Sequence, residues 1–234
     1  MARLPRLYAP GVPQLLQARF ARPLATPDDP TPSAQLQLVQ QWLTTEVQAR
    51  NVALHAWVLL PDRFLLLATP SDATTLPQVV QGIGRRMAAR LTHGRSFEGR
   101  YRSALVQDTW VLRCCAWIDT LPMFEGLVDT PANWPWSSAQ DHLGRRSMPP
   151  LGQYHDTYWN LGDTPFTRQA RYRIVLEKGL SAREAQSIEK SLFGQWALGD
   201  AQFAALLSAR GSRRAAPAPR GRPRKATAAT AVTK

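Results

Sequence analysis

Apolar residues in the first half of the chain recur at the spacing of amphipathic helices, which predicts three helices with one buried face each. The first of them follows Thr31-Pro32, a pair typical of a helix start. The third is expected over residues 109–120. The inward positions are Leu36, Val39, Leu43 and Val47 in the first helix, Leu76, Val79, Val80, Ile83, Met87 and Leu91 in the second, and Val111, Cys115 and Ile118 in the third.

Four shorter apolar segments predict strands at residues 13–22, 52–60, 63–69 and 103–107. The second and third are joined tightly at Pro61-Asp62, and their richness in leucine and valine indicates a central hairpin. The resulting order, β-α-β-β-α-β, predicts an α+β fold with a ferredoxin-like split βαβ antiparallel sheet and helices on one face.

The remainder of the chain is expected to be an appendage followed by a tail. Residues 145–164 look irregular, and helices are expected at 167–177, 181–193 and 199–207, the second of which starts with a Ser181/Glu184 capping box. We therefore divide the chain into a domain at 1–144, a linker and helical appendage at 145–208 and a disordered basic tail at 209–234. The appendage is interpreted either as a double-strand DNA module or as a packing element.

The positive charge is concentrated near the end of the chain. The formal net charge is +12, and no acidic residue follows Asp200. Eight of the cations lie beyond residue 209, so subtracting them leaves +4 for residues 1–209. A basic tail on a moderately basic domain favours a polyanionic partner, above all nucleic acid.

Other functional classes find no support in the composition. No apolar run reaches the ~18 residues of a membrane span, and the N-terminus has no apolar signal core, so no membrane partner is expected. The two cysteines, Cys114 and Cys115, are adjacent and are expected to be reduced core residues. No cysteine and histidine spacing is typical of a zinc site.

Five segments, in the same order, resemble the REP-associated tyrosine transposases, a single-tyrosine family with a His-hydrophobe-His metal motif. Residues 57–70 are similar to the family pattern W-V-x-M-P-N-H-x-H-L-L-x-x-P, and residues 93–108 to G-R-x-F-Q-G-R-Y/F-K-S-x-L-V. Residues 116–128 are similar to R-Y-I-H-x-N-P-V-x-A-G-L-V. The opening at 1–12 and the stretch from Asn133 to Gly144 match as well. The resemblance implies the ferredoxin-like fold and DNA strand-cleavage chemistry.

The residues that carry this chemistry in the family are replaced here. Its two metal-binding histidines fall on Arg63 and Leu65, and its nucleophilic tyrosine falls on Trp117. A guanidinium stays cationic, leucine has no donor atom, and an indole N–H cannot form the covalent link to DNA. We therefore expect no catalytic residue and no cofactor, although the resemblance implies a divalent metal such as Mg²⁺ in the family. Asp119 replaces a nearby histidine and is expected to be a solvated helix residue.

Basic residues that could contact DNA are better preserved. An alternative for the helical ones is an ordinary solvated helix face, and His93 lies in a loop where a phosphate contact is plausible. The tail segment 220–225 resembles an AT-hook core, in which arginines enter a narrow A·T minor groove; a non-specific basic tail is the alternative. The candidates are Arg85, Arg86, Arg90, His93, Arg95, Arg100 and Arg102 in the domain, and Arg220, Gly221, Arg222, Pro223, Arg224 and Lys225 in the tail.

The sequence thus predicts a DNA-binding, transposase-like protein that has lost strand cleavage. Single-stranded hairpins, duplex DNA or both are the expected partners, and the resemblance allows either a monomer or a homodimer. The expected location is the cytoplasm, in association with the nucleoid. Two alternatives are an active transposase or single-strand endonuclease with a relocated site, for which Tyr101 is the candidate nucleophile, and a decayed gene product that keeps only the fold.

Overall fold

A four-stranded antiparallel sheet forms the centre of the computed structural model, which describes residues 5–25, 34–92, 94–146, 150–211 and 213–218. The strands are β1 (Gln14–Arg19), β2 (Ala53–Leu59), β3 (Arg63–Thr69) and β4 (Arg102–Leu105). Their spatial order is β2-β3-β1-β4, and every neighbouring pair is antiparallel. With one helix between β1 and β2 and another between β3 and β4, this is the predicted α+β, ferredoxin-like arrangement.

The two connecting helices lie on one face of the sheet. They are α1 (Ala34–Ala49) and α2 (Thr75–Met87), which pack against each other, and α2 continues into a π turn at Ala88–Thr92. The ring of Phe97 packs beside Gly84 of α2 and against Phe64 of β3, which identifies the face that α2 covers. The predicted inward residues of both helices are buried, except for Leu91, which is half-buried.

The opposite face is covered by α3 (Asp108–Phe124) and α7 (Ala182–Gly194). Helix α3 packs on β2 and β3, whereas α7 packs on β4 and β1. Because both faces are covered, Phe64 and Leu65 are completely buried although they point to opposite sides of β3. Helix α3 extends beyond the predicted end at Thr120 and passes through Pro122.

The outer edge of β2 is hydrogen-bonded along its length by irregular chain. Leu59 N–H donates to the carbonyl of Trp136, and Ser138 N–H donates to the carbonyl of Trp57. Further along, Gln153 N–H donates to the carbonyl of Leu54. The neighbouring Gly152 approaches so closely that a β-carbon there would lie 2.1 Å from the Leu54 oxygen. The segment resembling the family's W-S-S motif therefore serves to cover the sheet edge.

The C-terminal helices pack against the fold in two hydrophobic clusters, the main core and a smaller cluster that includes Leu207 of the last helix. They comprise α4 (Ala139–His142), α5 (Asp156–Trp159), α6 (Pro165–Lys178), α7 and α8 (Ala201–Arg210). Tyr172 of α6 and Ile188 of α7 are completely buried in the same cluster as the strand residues. The predicted capping box of Ser181 and Glu184 is present at the start of α7. Beyond α8, Ala215 is also buried, so the chain packs against the fold at that point.

Candidate nucleic-acid interface

Arg63 is held in an ion-pair cluster at the start of β3. Its guanidinium contacts Asp62, at 2.7 Å from Nη1 to Oδ1, and also Glu125 at the end of α3. The side chain is only 21% exposed. Two carboxylates thus neutralise this cation, which leaves it poorly suited to hold a phosphate of DNA.

The other two replaced positions lie in the core. Leu65 is completely buried on β3, and Trp117 of α3 is nearly so. Both belong to the main hydrophobic cluster. The positions where the resemblance would put one metal ligand and the nucleophile are therefore occupied by buried apolar side chains.

The donor atoms around these positions do not fit a divalent metal. Positions 63 and 65 supply a cation and a hydrocarbon, neither of which can be a ligand. Within the described ranges, no group of three or more His, Cys, Asp or Glu side chains is close enough together to hold a metal ion. We derive no metal-dependent step for this chain.

Tyr101, the alternative nucleophile, is buried beside β4. The guanidinium carbon of Arg6 lies 3.5 Å from the centre of its ring, and only 7% of the residue is exposed. Burial raises the pKa of the Tyr101 phenol, although the neighbouring Arg6 and Arg100 oppose the shift. The phenol is therefore protonated at neutral pH and shielded from a DNA strand.

Asp119 is not solvated as expected but lies at the centre of a buried polar network. The residue is 0% exposed. Ser138 Oγ donates to its Oδ1 at 2.5 Å, and the hydroxyl of Tyr172 donates to its Oδ2 at 2.7 Å. The same Oδ2 lies 2.6 Å from Nδ1 of His142. The prediction was wrong because these partners come from two later segments, α4 with its N-cap and α6, that fold over α3.

Both ring nitrogens of His142 take part in this network. Nε2 of His142 is 3.1 Å from the carbonyl oxygen of His55, which can only accept, so this nitrogen carries a hydrogen. With the short contact on Nδ1, both ring nitrogens of His142 have a hydrogen-bond partner. The network ties α3, α4 and α6 to the edge of β2 and thereby fixes the helix that carries Trp117.

His55 is a buried histidine whose two ring nitrogens are both hydrogen-bonded. Nδ1 donates to the carbonyl of Gln153 at 2.9 Å, and the hydroxyl of Thr69 donates to Nε2 at 2.8 Å. Burial lowers the pKa of His55 from 6.5 to about 4, and the nearby His155 and His142 act in the same direction.

We expect His55 to make the fold sensitive to mild acid. The unfolded chain binds a proton at this histidine below about pH 6.5, whereas the folded protein resists it down to about pH 4, so the free energy of unfolding falls as the pH drops through that window. The expected loss attributable to His55 is about 3 kcal/mol. Urea unfolding of wild type and His55→Gln at pH 7 and pH 4.5 measures it. Equal pH dependence of the two proteins would contradict the prediction.

A cationic cleft opens on the same sheet face as positions 63 and 65. Gln17 of β1 pairs across the sheet with both Leu65 and Arg102, so these side chains point to one face. The cleft has a volume of about 350 Å³. It is lined by Gln17, Arg19, Glu98, Gly99, Arg100, Arg102 and Phe193.

The arginines predicted to bind DNA divide between two surfaces. Arg100 and Arg102 lie in the cleft, whereas Arg85 and Arg86 lie on α2, which packs on the opposite face. Arg90 follows in the π turn, and all of these side chains are exposed. Arg86 is paired with Glu46 at 3.5 Å, and Arg95 donates to the carbonyl of Phe97 at 2.8 Å, which holds its own loop in shape. His93 and the tail residues Arg220, Gly221, Arg222, Pro223, Arg224 and Lys225 lie outside the described residues.

Arg19 and Phe193 are among the cleft residues that the sequence prediction missed. Arg19 follows Gln17 by two positions on β1, which places both on one face once the strand is assigned. That alternation was the available signal. For Phe193 the sequence carries no such signal, because its contact with Arg102 spans 91 residues of sequence.

The tryptophans of the edge segment are structural. Trp134 is buried, and its indole N–H donates to the carbonyl of Leu59 at 2.9 Å.

Comparison with known proteins identifies a solved structure with a similar fold. No protein-family model and no curated protein matches the chain. In the part of the chain that the structure describes, no helix is long and apolar enough to cross a bilayer. Among solved structures, the chain is similar to a REP-associated tyrosine transposase bound to a REP hairpin, at 17% sequence identity and a TM-score of 0.50, over 67% of this chain and 93% of that one. The chain thus shares its fold with a tyrosine transposase.

Proposed function

We propose that this chain is a transposase-like DNA-binding protein that does not cleave DNA strands. One observation carries the proposal: Leu65 and Trp117 are buried and Arg63 is neutralised, while a cationic cleft lies open on the same sheet face. Arginines bind phosphates well, and such contacts position a protein on DNA without reading its sequence. The fold thus favours DNA binding at this face of the sheet, without the residues needed to cleave a strand.

The proposed ligand is DNA that combines a hairpin with single-stranded flanks. The similar solved structure is a transposase bound to a REP hairpin, and this chain has the same fold. A second contact, to duplex DNA, is proposed for the basic tail at 219–234, which adds five cations beyond the last described residue. Association with the nucleoid would follow from such binding.

The absence of cleavage is tested by incubating the purified full chain with hairpin oligonucleotides carrying single-stranded flanks, in Mg²⁺ or Mn²⁺. We expect salt-dependent binding but neither a covalent protein–DNA adduct nor a shortened strand. Loss of both nucleophile and metal site leaves no useful rate, since removing one nucleophile from a well-studied hydrolase costs on the order of a millionfold. An active single-tyrosine transposase is the positive control.

Three outcomes separate the candidate functions. A covalent adduct or a shortened strand would reject the proposal. If the Tyr101→Phe variant then no longer cleaved, the relocated active site would be assigned to the Tyr101 phenol. Cleavage that persists in Tyr101→Phe would exclude Tyr101 as the nucleophile. A protein that binds no nucleic acid in a salt-dependent way would favour the decayed gene product.

A further inference from the structure

The cleft combines an exposed aromatic ring with guanidinium groups held at fixed places. Phe193, in the last turn of α7, is 47% exposed although it is a large apolar residue. Its carbonyl accepts a hydrogen bond from Arg102 Nη1 at 2.9 Å. The guanidinium carbon of Arg102 lies 5.3 Å from the centre of the phenylalanine ring. A main-chain contact thus fixes a cation over one side of a phenylalanine ring that is still about half exposed.

The cleft keeps a positive charge after its internal ion pairs are counted. Three arginines and one glutamate line it. Arg19 is shared between Asp62 at 3.3 Å and Glu98 at 3.4 Å. Across the described residues, Arg100 forms neither an ion pair nor a side-chain hydrogen bond, and it is exposed. Arg100 and the remaining N–H groups of Arg102 are therefore available to an anion.

We propose that this cleft binds an unpaired nucleotide of a single-stranded nucleic acid, with the base stacked on Phe193 and the adjoining phosphate held by Arg100 and Arg102. The inference rests on the proposed function and names the part of the ligand that this site takes. Aromatic rings in a basic groove are the general means by which proteins hold single strands, because every base has a π face.

The dimensions favour a single strand over a duplex. A volume of about 350 Å³ lies at the lower end of ligand-binding clefts, which span ~300–1,000 Å³. A paired base exposes only its edges in the grooves, since its faces are covered by the neighbouring pairs. The ring of Phe193 can therefore stack only on a base that is unpaired.

The test compares two oligonucleotides with the same number of phosphates, a thymidine 15-mer and a fully abasic 15-mer, by fluorescence anisotropy with the full chain. We expect wild type to prefer the thymidine strand. Phe193→Ala should weaken its binding about 5- to 150-fold, the range for loss of one base–aromatic stack, and leave the abasic strand unchanged. Phe193→Tyr should restore the preference. Phe166→Ala, which removes a phenylalanine that is 82% exposed on α6, is the matched control and should change neither affinity.

The outcomes distinguish this inference from the proposed function. Unchanged thymidine-strand binding in Phe193→Ala, or an equal loss for both strands, would overturn the stacking site even if the protein still binds duplex DNA. Absence of any DNA binding by wild type would overturn both. A uridine 15-mer of RNA with the same dependence on Phe193 would support the site, since ring stacking does not read the sugar.

Discussion

Replacing Asp119 with alanine should destabilise the protein by about 3–5 kcal/mol, the range for removing one partner of a buried, hydrogen-bonded charge pair. The substitution leaves the hydroxyls of Ser138 and Tyr172 and the imidazole of His142 without their acceptor. All three residues are almost completely buried, so water cannot replace the carboxylate without opening the core. A loss of this size is a large share of the ~5–15 kcal/mol by which a domain is stable. Urea unfolding followed by circular dichroism measures it.

Two further variants show whether the loss comes from the network. Tyr172→Phe removes one donor and keeps the carboxylate, so its cost should be smaller, about 1.5–3 kcal/mol. Asp163→Ala removes an exposed carboxylate and should cost less than about 1 kcal/mol. If Asp119→Ala were as mild as Asp163→Ala, the network would not be what holds α3 against its neighbours.

Deleting residues 219–234 should weaken duplex DNA binding and flatten its dependence on salt. The deletion removes Arg220, Arg222, Arg224, Lys225 and Lys234 but keeps the buried Ala215. Each phosphate contact contributes about 0.9 to the slope of log K against log salt, so four contacts account for a slope change of about 3.6. Between 50 and 200 mM salt, the full chain should then lose roughly 100-fold more affinity than the truncated chain. Titration of a labelled A·T-rich duplex at several salt concentrations measures both slopes.

A charge-preserving variant distinguishes an AT-hook from a non-specific basic tail. In Gly221→Ala/Pro223→Ala, all four cations of the motif remain while the glycine and the proline that an AT-hook requires are removed. An AT-hook should then lose its preference for A·T over G·C duplexes with little change in slope. An unchanged preference would favour the non-specific tail. Equal slopes for the full and truncated chains would remove the tail from the interface altogether.

The positions of the sheet and its two connecting helices could be predicted because their signals are local. Periods of two and of 3.6 residues reflect burial of one face, and β3 with its flanking turn is identified from fewer than twenty residues. The alignment of Arg63, Leu65 and Trp117 with the catalytic positions of the resembled family likewise rests on local motifs. The ion pairs of Arg63 and the burial of Leu65 and Trp117 could not be predicted locally, because Glu125 and the covering helices come from elsewhere in the chain.

The environment of Asp119 and the cleft shows where local reasoning ends. A lone carboxylate on a predicted helix has no sequence signal for burial, and its partners lie 19, 23 and 53 residues further along the chain. The cleft likewise requires α7 to fold back onto β1 and β4. Both sites are products of tertiary contacts between segments that the sequence assigns to different units.

The chain bonded along β2 has a consequence for self-association. Open sheet edges allow one molecule to add its strand to another, which leads to aggregates and swapped dimers. Here the carbonyl of Leu54, the N–H of Leu59 and both main-chain groups of Trp57 are already bonded within the molecule. Two copies of this protein therefore cannot pair through β2 unless the segments around residues 136–138 and 153 first dissociate from it.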